Sequence, residues 1–164
     1  MTLSKKVLLI ALILSIVLTL FFIFSNSLKS PGQSMEESNN ATDKIEEVVP
    51  PDTTFGAFLS TYLRKIAHFL EFALLGYEIF LVVHIYLGGG AIWIISSVLL
   101  GVLTALLDET LQIASRRGSS VVDVWIDISG YAFATLASVI VVTIVKWRKN
   151  ISAKRRKAEL GDTM

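Results

Sequence analysis

Cysteine is absent from this chain, so it has no disulfide framework, no thiolate metal site and no cysteine nucleophile. Histidine is nearly absent: only His68 and His84 can offer an imidazole. The three prolines (Pro31, Pro50 and Pro51) all fall in one polar stretch. An excess of one sign of charge is also missing. The formal net charge is +1 over 164 residues, which gives no reason to expect a nucleic-acid partner. No H-E-x-x-H and no G-x-S-x-G occurs, so the usual signatures of intramembrane and serine hydrolases are lacking.

What is present is apolar. Hydrophobic residues make up 53% of the chain, too many for an ordinary soluble domain of this size, and the mean hydropathy of +0.64 agrees. A helix needs about 20 apolar residues to cross the hydrocarbon core. Four segments qualify: about 7–24, 66–86, 91–107 and 121–147. The first has a basic start like a signal peptide, but its apolar run is long and no A-x-A site follows, so a retained helix is expected. The expected fold is an all-α integral membrane bundle of four transmembrane helices in one domain, 1–147, followed by a basic tail, 148–164.

The stretch 25–61 is rich in Ser, Asn and Glu and holds every proline, so it reads as a mobile extracellular loop with a solvated acidic half. Leu87-Gly88-Gly89-Gly90 reads as a tight turn between the second and third spans. Four spans place both termini on one side. That side carries nine Lys and Arg residues; the other carries six, four of them inside charged motifs. The imbalance puts both termini in the cytoplasm and the loop outside.

Three charged clusters sit at span ends on that outer side: Arg64, Lys65, His68 and Glu71; Asp108, Glu109 and Gln112; Arg116 and Arg117 followed by Asp123 and Asp127. Ionisable residues at such depths are expensive and usually functional. Helical spacing aligns Arg64, His68 and Glu71 on one face, Asp108, Gln112 and Arg116 on a second, and Asp123, Asp127, Gly130 and Tyr131 on a third. The topology predicts that the three faces meet in one outward-facing polar site. Glu78, near mid-membrane, reads as a hydrogen-bonded core carboxyl, and His84, Trp93 and Trp147 read as interfacial residues.

The segments Arg64-Lys65-Ile66-Ala67-His68-Phe69-Leu70-Glu71-Phe72, Asp108-Glu109-Thr110-Leu111-Gln112 with Arg116-Arg117-Gly118, and Asp123-Val124-Trp125-Ile126-Asp127-Ile128-Ser129-Gly130 occur in that order. Together they resemble the VanZ-like membrane proteins, a family named after a teicoplanin-resistance protein. The segment Phe24-Ser25-Asn26-Ser27 through Ser34 and Ser38, after the first span, resembles the family's serine-rich stretch. The resemblance covers about residues 1–147. Asp127 departs from it, standing where the family usually has Asn, and Ala134 stands where a second glycine is common. The resemblance implies a multi-pass protein of the bacterial plasma membrane, linked to the cell envelope and to glycopeptide sensitivity.

Three functional readings stay open from the residues. In the first, Arg–carboxylate pairs merely cross-link the helices, since an unpaired buried charge costs several kcal/mol. In the second, Arg64, Lys65, His68, Glu71, Asp108, Glu109, Gln112, Arg116, Asp123 and Asp127 bind the head group of a membrane lipid, a cell-wall precursor lipid or a glycopeptide. Arginine takes phosphate bidentately there, and the carboxylates accept hydroxyls or an amine. In the third, the chain is an intramembrane enzyme acting on a phospholipid or polyprenyl-phosphate substrate, with His68 and Glu71 as an acid–base pair and Asp123 completing a metal or nucleophile set. No cofactor and no resident metal is expected, with a divalent cation bridging ligand phosphates as the one exception left open.

Overall fold

A computed structural model describes the chain apart from residues 1, 51, 89, 117–119 and 162–164, and apart from the side chains of 154–161. Five α-helices and no strand occur among the described residues. They are α1 (Leu3–Ser27), α2 (Pro31–Glu46), α3 (Thr54–Tyr86), α4 (Ala91–Ala114) and α5 (Val121–Gly161). Of these, α1, α3, α4 and α5 are long and apolar enough to cross a membrane. The fold is an all-α bundle in which α3 packs most extensively against α5.

The bundle is apolar outside and partly polar inside. Leu14, Leu18 and Phe21 of α1, Leu99 and Leu103 of α4, and Leu136 and Ile140 of α5 are exposed. Such rows suit contact with lipid chains, where exposing a leucine carries no penalty. Ile23, Phe72, Leu75, Ala105 and Tyr131 form the apolar core. Thr19, Ser27, Glu78, Ser97, Thr104, Asp108, Glu109, Gln112, Asp127 and Thr135 are buried with them. Most find partners close by. Ser15 donates to Glu78 at 2.5 Å, and the Tyr131 hydroxyl donates to the Ser97 carbonyl at 2.7 Å.

Glycines set the spacing of the helices. A Cβ on Gly130 would stand 2.2 Å from the Phe69 carbonyl oxygen, and one on Gly76 would stand 2.6 Å from the Tyr131 carbonyl oxygen. The α3 and α5 backbones therefore touch at these two points, a contact only small residues permit. The close contact lies at Gly130 and Gly76 and needs no second glycine at Ala134. Between α3 and α4 the chain turns through Gly88, whose φ of +80° lies in the left-handed region.

The polar stretch 25–61 differs from the mobile loop expected of it, because most of it is helical. Ser30 caps α2: its hydroxyl accepts from the Gln33 amide while the Gln33 side chain accepts from the Ser30 amide. Pro31 occupies the first turn, where its missing N–H costs nothing. That proline starts a helix instead of breaking one. No residue of α2 is buried, which is why hydrophobic patterning does not reveal it. Lys29 ties the segment down by pairing with Glu37 at 2.6 Å.

Thr53, which accepts from the Gly56 amide at 3.0 Å, starts α3 well ahead of its apolar span at about 66. At the other end α5 continues past 147 into the basic tail, whose Ala, Lys and Arg residues favour helix.

Ser30→Ala is expected to cost α2 about 1 kcal/mol through loss of the cap. Amide hydrogen exchange across 31–46 should quicken while the four long helices keep their protection. Unchanged exchange would show that Ser30 is not what holds the helix start.

Candidate functional site

The charged clusters converge at one end of the bundle. Ser27 comes from the end of α1, Arg64 and His68 from the first half of α3, Asp108 and Gln112 from the last turns of α4, and Asp123 and Asp127 from the start of α5. The helix directions produce this meeting. α1 and α4 end where α3 and α5 begin their long runs, so residues far apart in sequence share one level.

Asp108 sits at the centre and is fully buried. One of its oxygens accepts a short hydrogen bond from the Ser27 hydroxyl, and the other accepts from the Gln112 amide at 2.8 Å. Gln112 in turn accepts from Arg64 Nη2 at 3.0 Å. The guanidinium is thus positioned by an amide and not by a carboxylate. Ser115 Oγ donates to the Ser27 carbonyl at 2.9 Å, fastening the end of α4 to the end of α1.

His68 faces both buried aspartates. Its Nδ1 lies 3.5 Å from Asp127 Oδ1 and 3.8 Å from Asp108 Oδ2. Both distances are longer than a well-formed hydrogen bond. His68 Nδ1 and both oxygens of Asp127 are buried without a hydrogen-bond partner.

Above this cluster, Thr61, Arg64, Lys65, His68, Gln112, Asp123 and Ile126 line a cavity of about 200 Å³. A second cavity, of about 380 Å³, opens on the α1–α2 side. It shares Arg64 and His68 and adds Asn26, Lys29, Glu37 and Glu71. Among the described residues, neither Arg64 nor Lys65 forms an ion pair with a carboxylate. The helices are joined here by hydroxyl and amide donors, with His68 standing between two aspartates, and not by the Arg–carboxylate pairs of the cross-linking reading.

Each residue expected at the site can now be located. Arg64, Lys65, His68, Gln112 and Asp123 share the first cavity, and Asp108 and Asp127 lie against His68. Glu71 faces the second cavity, where one oxygen accepts from Asn26 at 3.3 Å. Glu109 turns toward the start of α5 and accepts from the Ser120 amide at 2.6 Å. The spacing that aligned Asp108, Gln112 and Arg116 presumes a continuing helix. α4 ends at Ala114, and Arg116 is exposed, adopts a φ of 58° and lines neither cavity. Arg117 and Gly118 lie outside the described residues.

Sequence reasoning missed the donor roles of Asn26 and Ser27 and the place of Lys29. The serine-rich stretch after the first span was the available signal, but nothing in its spacing pointed to Asp108, 81 positions away. At the far end of the bundle, His84 stacks on Phe80 with ring centroids 5.6 Å apart, and the Tyr86 hydroxyl donates to the Lys5 carbonyl.

A family model described as VanZ/LLP1 matches residues 8–144. No curated protein and no solved structure matches the chain.

Proposed function

The chain belongs to the VanZ/LLP1 family of membrane proteins, and from that premise we propose that the polar end of its bundle holds the anionic head group of an envelope lipid. In this reading both termini are cytoplasmic, the site faces outward from a bacterial plasma membrane, and occupancy by an envelope lipid or cell-wall precursor alters sensitivity to glycopeptides such as teicoplanin. The observation that carries it is the pairing state of the cations. Arg64 and Lys65 share a cavity of about 200 Å³ with His68 and Gln112 and have no carboxylate partner among the described residues. A guanidinium has five N–H donors, and Gln112 takes one of Arg64's. The rest suit phosphate oxygens, and the adjacent ammonium adds a point charge. At the end of a membrane bundle such a cavity can hold a head group while the acyl or prenyl chains stay among the exposed leucines.

The test is native mass spectrometry of the protein released from its own membranes, beside Arg64→Ala and Lys65→Ala variants matched for folded yield. Wild type should retain a defined anionic lipid, and each variant should retain about tenfold less, the size of one lost charge-assisted hydrogen bond. Arg116→Ala, outside both cavities, serves as the comparison for surface charge. A wild type that carries no defined lipid, or variants that retain it equally, would overturn the head-group reading. Variants that fail to fold, together with a lipid-free wild type, would assign the cluster to helix cross-linking.

A further inference from the structure

The cluster beneath the cavity holds two fully buried carboxylates against one imidazole. Even a protonated His68 balances only one of them. Asp108 is supplied with donors by Ser27 and Gln112. Asp127 is supplied with none, although it is fully buried and its carboxylate points at His68. An ion pair that had closed would bring nitrogen and oxygen to about 2.7–2.9 Å. The two contacts stand at 3.5 and 3.8 Å instead.

One donor atom from each of His68, Asp108 and Asp127 lies within 4.8 Å of the other two. Around a cation with bonds of about 2.0–2.2 Å, donor atoms stand about 3.3–3.6 Å apart at tetrahedral angles and at most about 4.4 Å apart across the ion. The two His68 spacings are longer than well-formed hydrogen bonds and close to those of ligands around a common centre. The two His68 distances of 3.5 and 3.8 Å already fall in that range, and the two aspartate oxygens, within 4.8 Å of each other, draw closer on binding.

We propose that His68, Asp108 and Asp127 form a site for a divalent first-row transition ion, with Zn²⁺ and Mn²⁺ as the fitting class. An imidazole nitrogen with two carboxylates suits these ions better than Mg²⁺ or Ca²⁺, which favour all-oxygen sets. The ion neutralises both buried aspartates and gives the unpartnered atoms of His68 and Asp127 a partner. Ser27 and Gln112 hold the Asp108 carboxylate in place, the outer-shell support that metal ligands usually have. Three protein ligands leave a coordination position open, and His68 lines both cavities, so solvent or a ligand oxygen can reach it. The site stands on these three side chains and does not depend on the head-group reading.

The experiment uses the full chain in detergent, stripped with chelator and titrated calorimetrically with Zn²⁺ and with Mn²⁺ alone. Wild type should bind one equivalent of Zn²⁺ and gain thermal stability on binding. Asp127→Asn and His68→Gln should each lose at least tenfold in affinity and the thermal shift with it. Glu36→Gln, an exposed acid on α2 that lines neither cavity, should bind like wild type. A wild type with no one-equivalent site for either ion overturns the proposal, as does equal Zn²⁺ binding by wild type, Asp127→Asn and His68→Gln. If Asp127→Asn fails to fold, His68→Gln and the wild-type stoichiometry still decide.

Discussion

Gly130→Ala should lower the thermal unfolding midpoint of the detergent-solubilised protein sharply, by the equivalent of about 3 kcal/mol. The added Cβ would stand 2.2 Å from the Phe69 carbonyl oxygen, 3.0 Å from its carbonyl carbon and 3.1 Å from its Cα. Those are backbone atoms of α3 and cannot rotate away as the tip of a side chain would. The two helices must separate or slide, and the whole α3–α5 contact moves with them. Gly130 follows Asp127 by three residues and Phe69 follows His68 by one, so any separation also widens the His68–Asp127 gap of 3.5 Å. The effect should therefore appear twice, as lost stability and as lost ligand or metal affinity. Gly32→Ala is the matching control. Nothing lies within 4 Å of its Cβ, and it sits in the first turn of α2, where alanine favours helix. Its midpoint should hold or rise. A Gly130→Ala protein as stable as wild type would mean that α3 and α5 are not in backbone contact there.

Much of the architecture is legible in the sequence because membranes demand long, uncharged runs. Residues 7–24 and 91–107 carry no charge at all, and each lies within a helix that can cross a membrane. The level of the site is legible for a similar reason. The charged motifs fall where four crossings put them, so His68 could be expected near Asp108 and Asp127 before their distances were known.

The limits are physical too. Hydrophobic period detects a helix only by the face it buries, and α2 buries none, so only Ser30, Pro31 and Gln33 betray it. Helical spacing also predicts a shared face only while the helix lasts. It succeeds for Asp108 and Gln112, which lie within α4, and fails for Arg116, two residues past its end. Spacing is equally silent on which way an acid turns. Glu71 and Glu109 belong to the same motifs as His68 and Asp108, yet one reaches Asn26 and the other the start of α5. Ser27 lies in a stretch whose resemblance was visible, but its role needs the α1–α4 contact.

Tyr131→Ala should cost about 4 kcal/mol, while Tyr131→Phe should cost about 1 kcal/mol. The two changes separate what the ring does from what the hydroxyl does. The hydroxyl makes one buried hydrogen bond, to the Ser97 carbonyl at 2.7 Å. In a membrane interior such bonds are worth about 0.6 kcal/mol on average, so the Phe variant should stay folded. The ring is 2% exposed and stands in the core with Phe72, Leu75 and Ala105. It also lies against Gly101 of α4, where an added Cβ would meet ring atoms at 2.7 Å. Removing the ring leaves a void between α4 and α5 one turn below Asp127, and the aspartates facing His68 lose the support beneath them. That geometry makes a double-mutant cycle decisive. Gly101→Ala should destabilise wild type by about 1–3 kcal/mol, because the ring must move to admit the methyl group. In the Tyr131→Ala background the same substitution should be neutral or favourable, because the methyl group enters the vacated space. The favourable coupling should exceed about 1 kcal/mol. Additive effects would mean that Tyr131 does not fill the space between α4 and α5, and that the register of these helices, which holds Asp108 and Asp127 on either side of one imidazole, is set by other contacts.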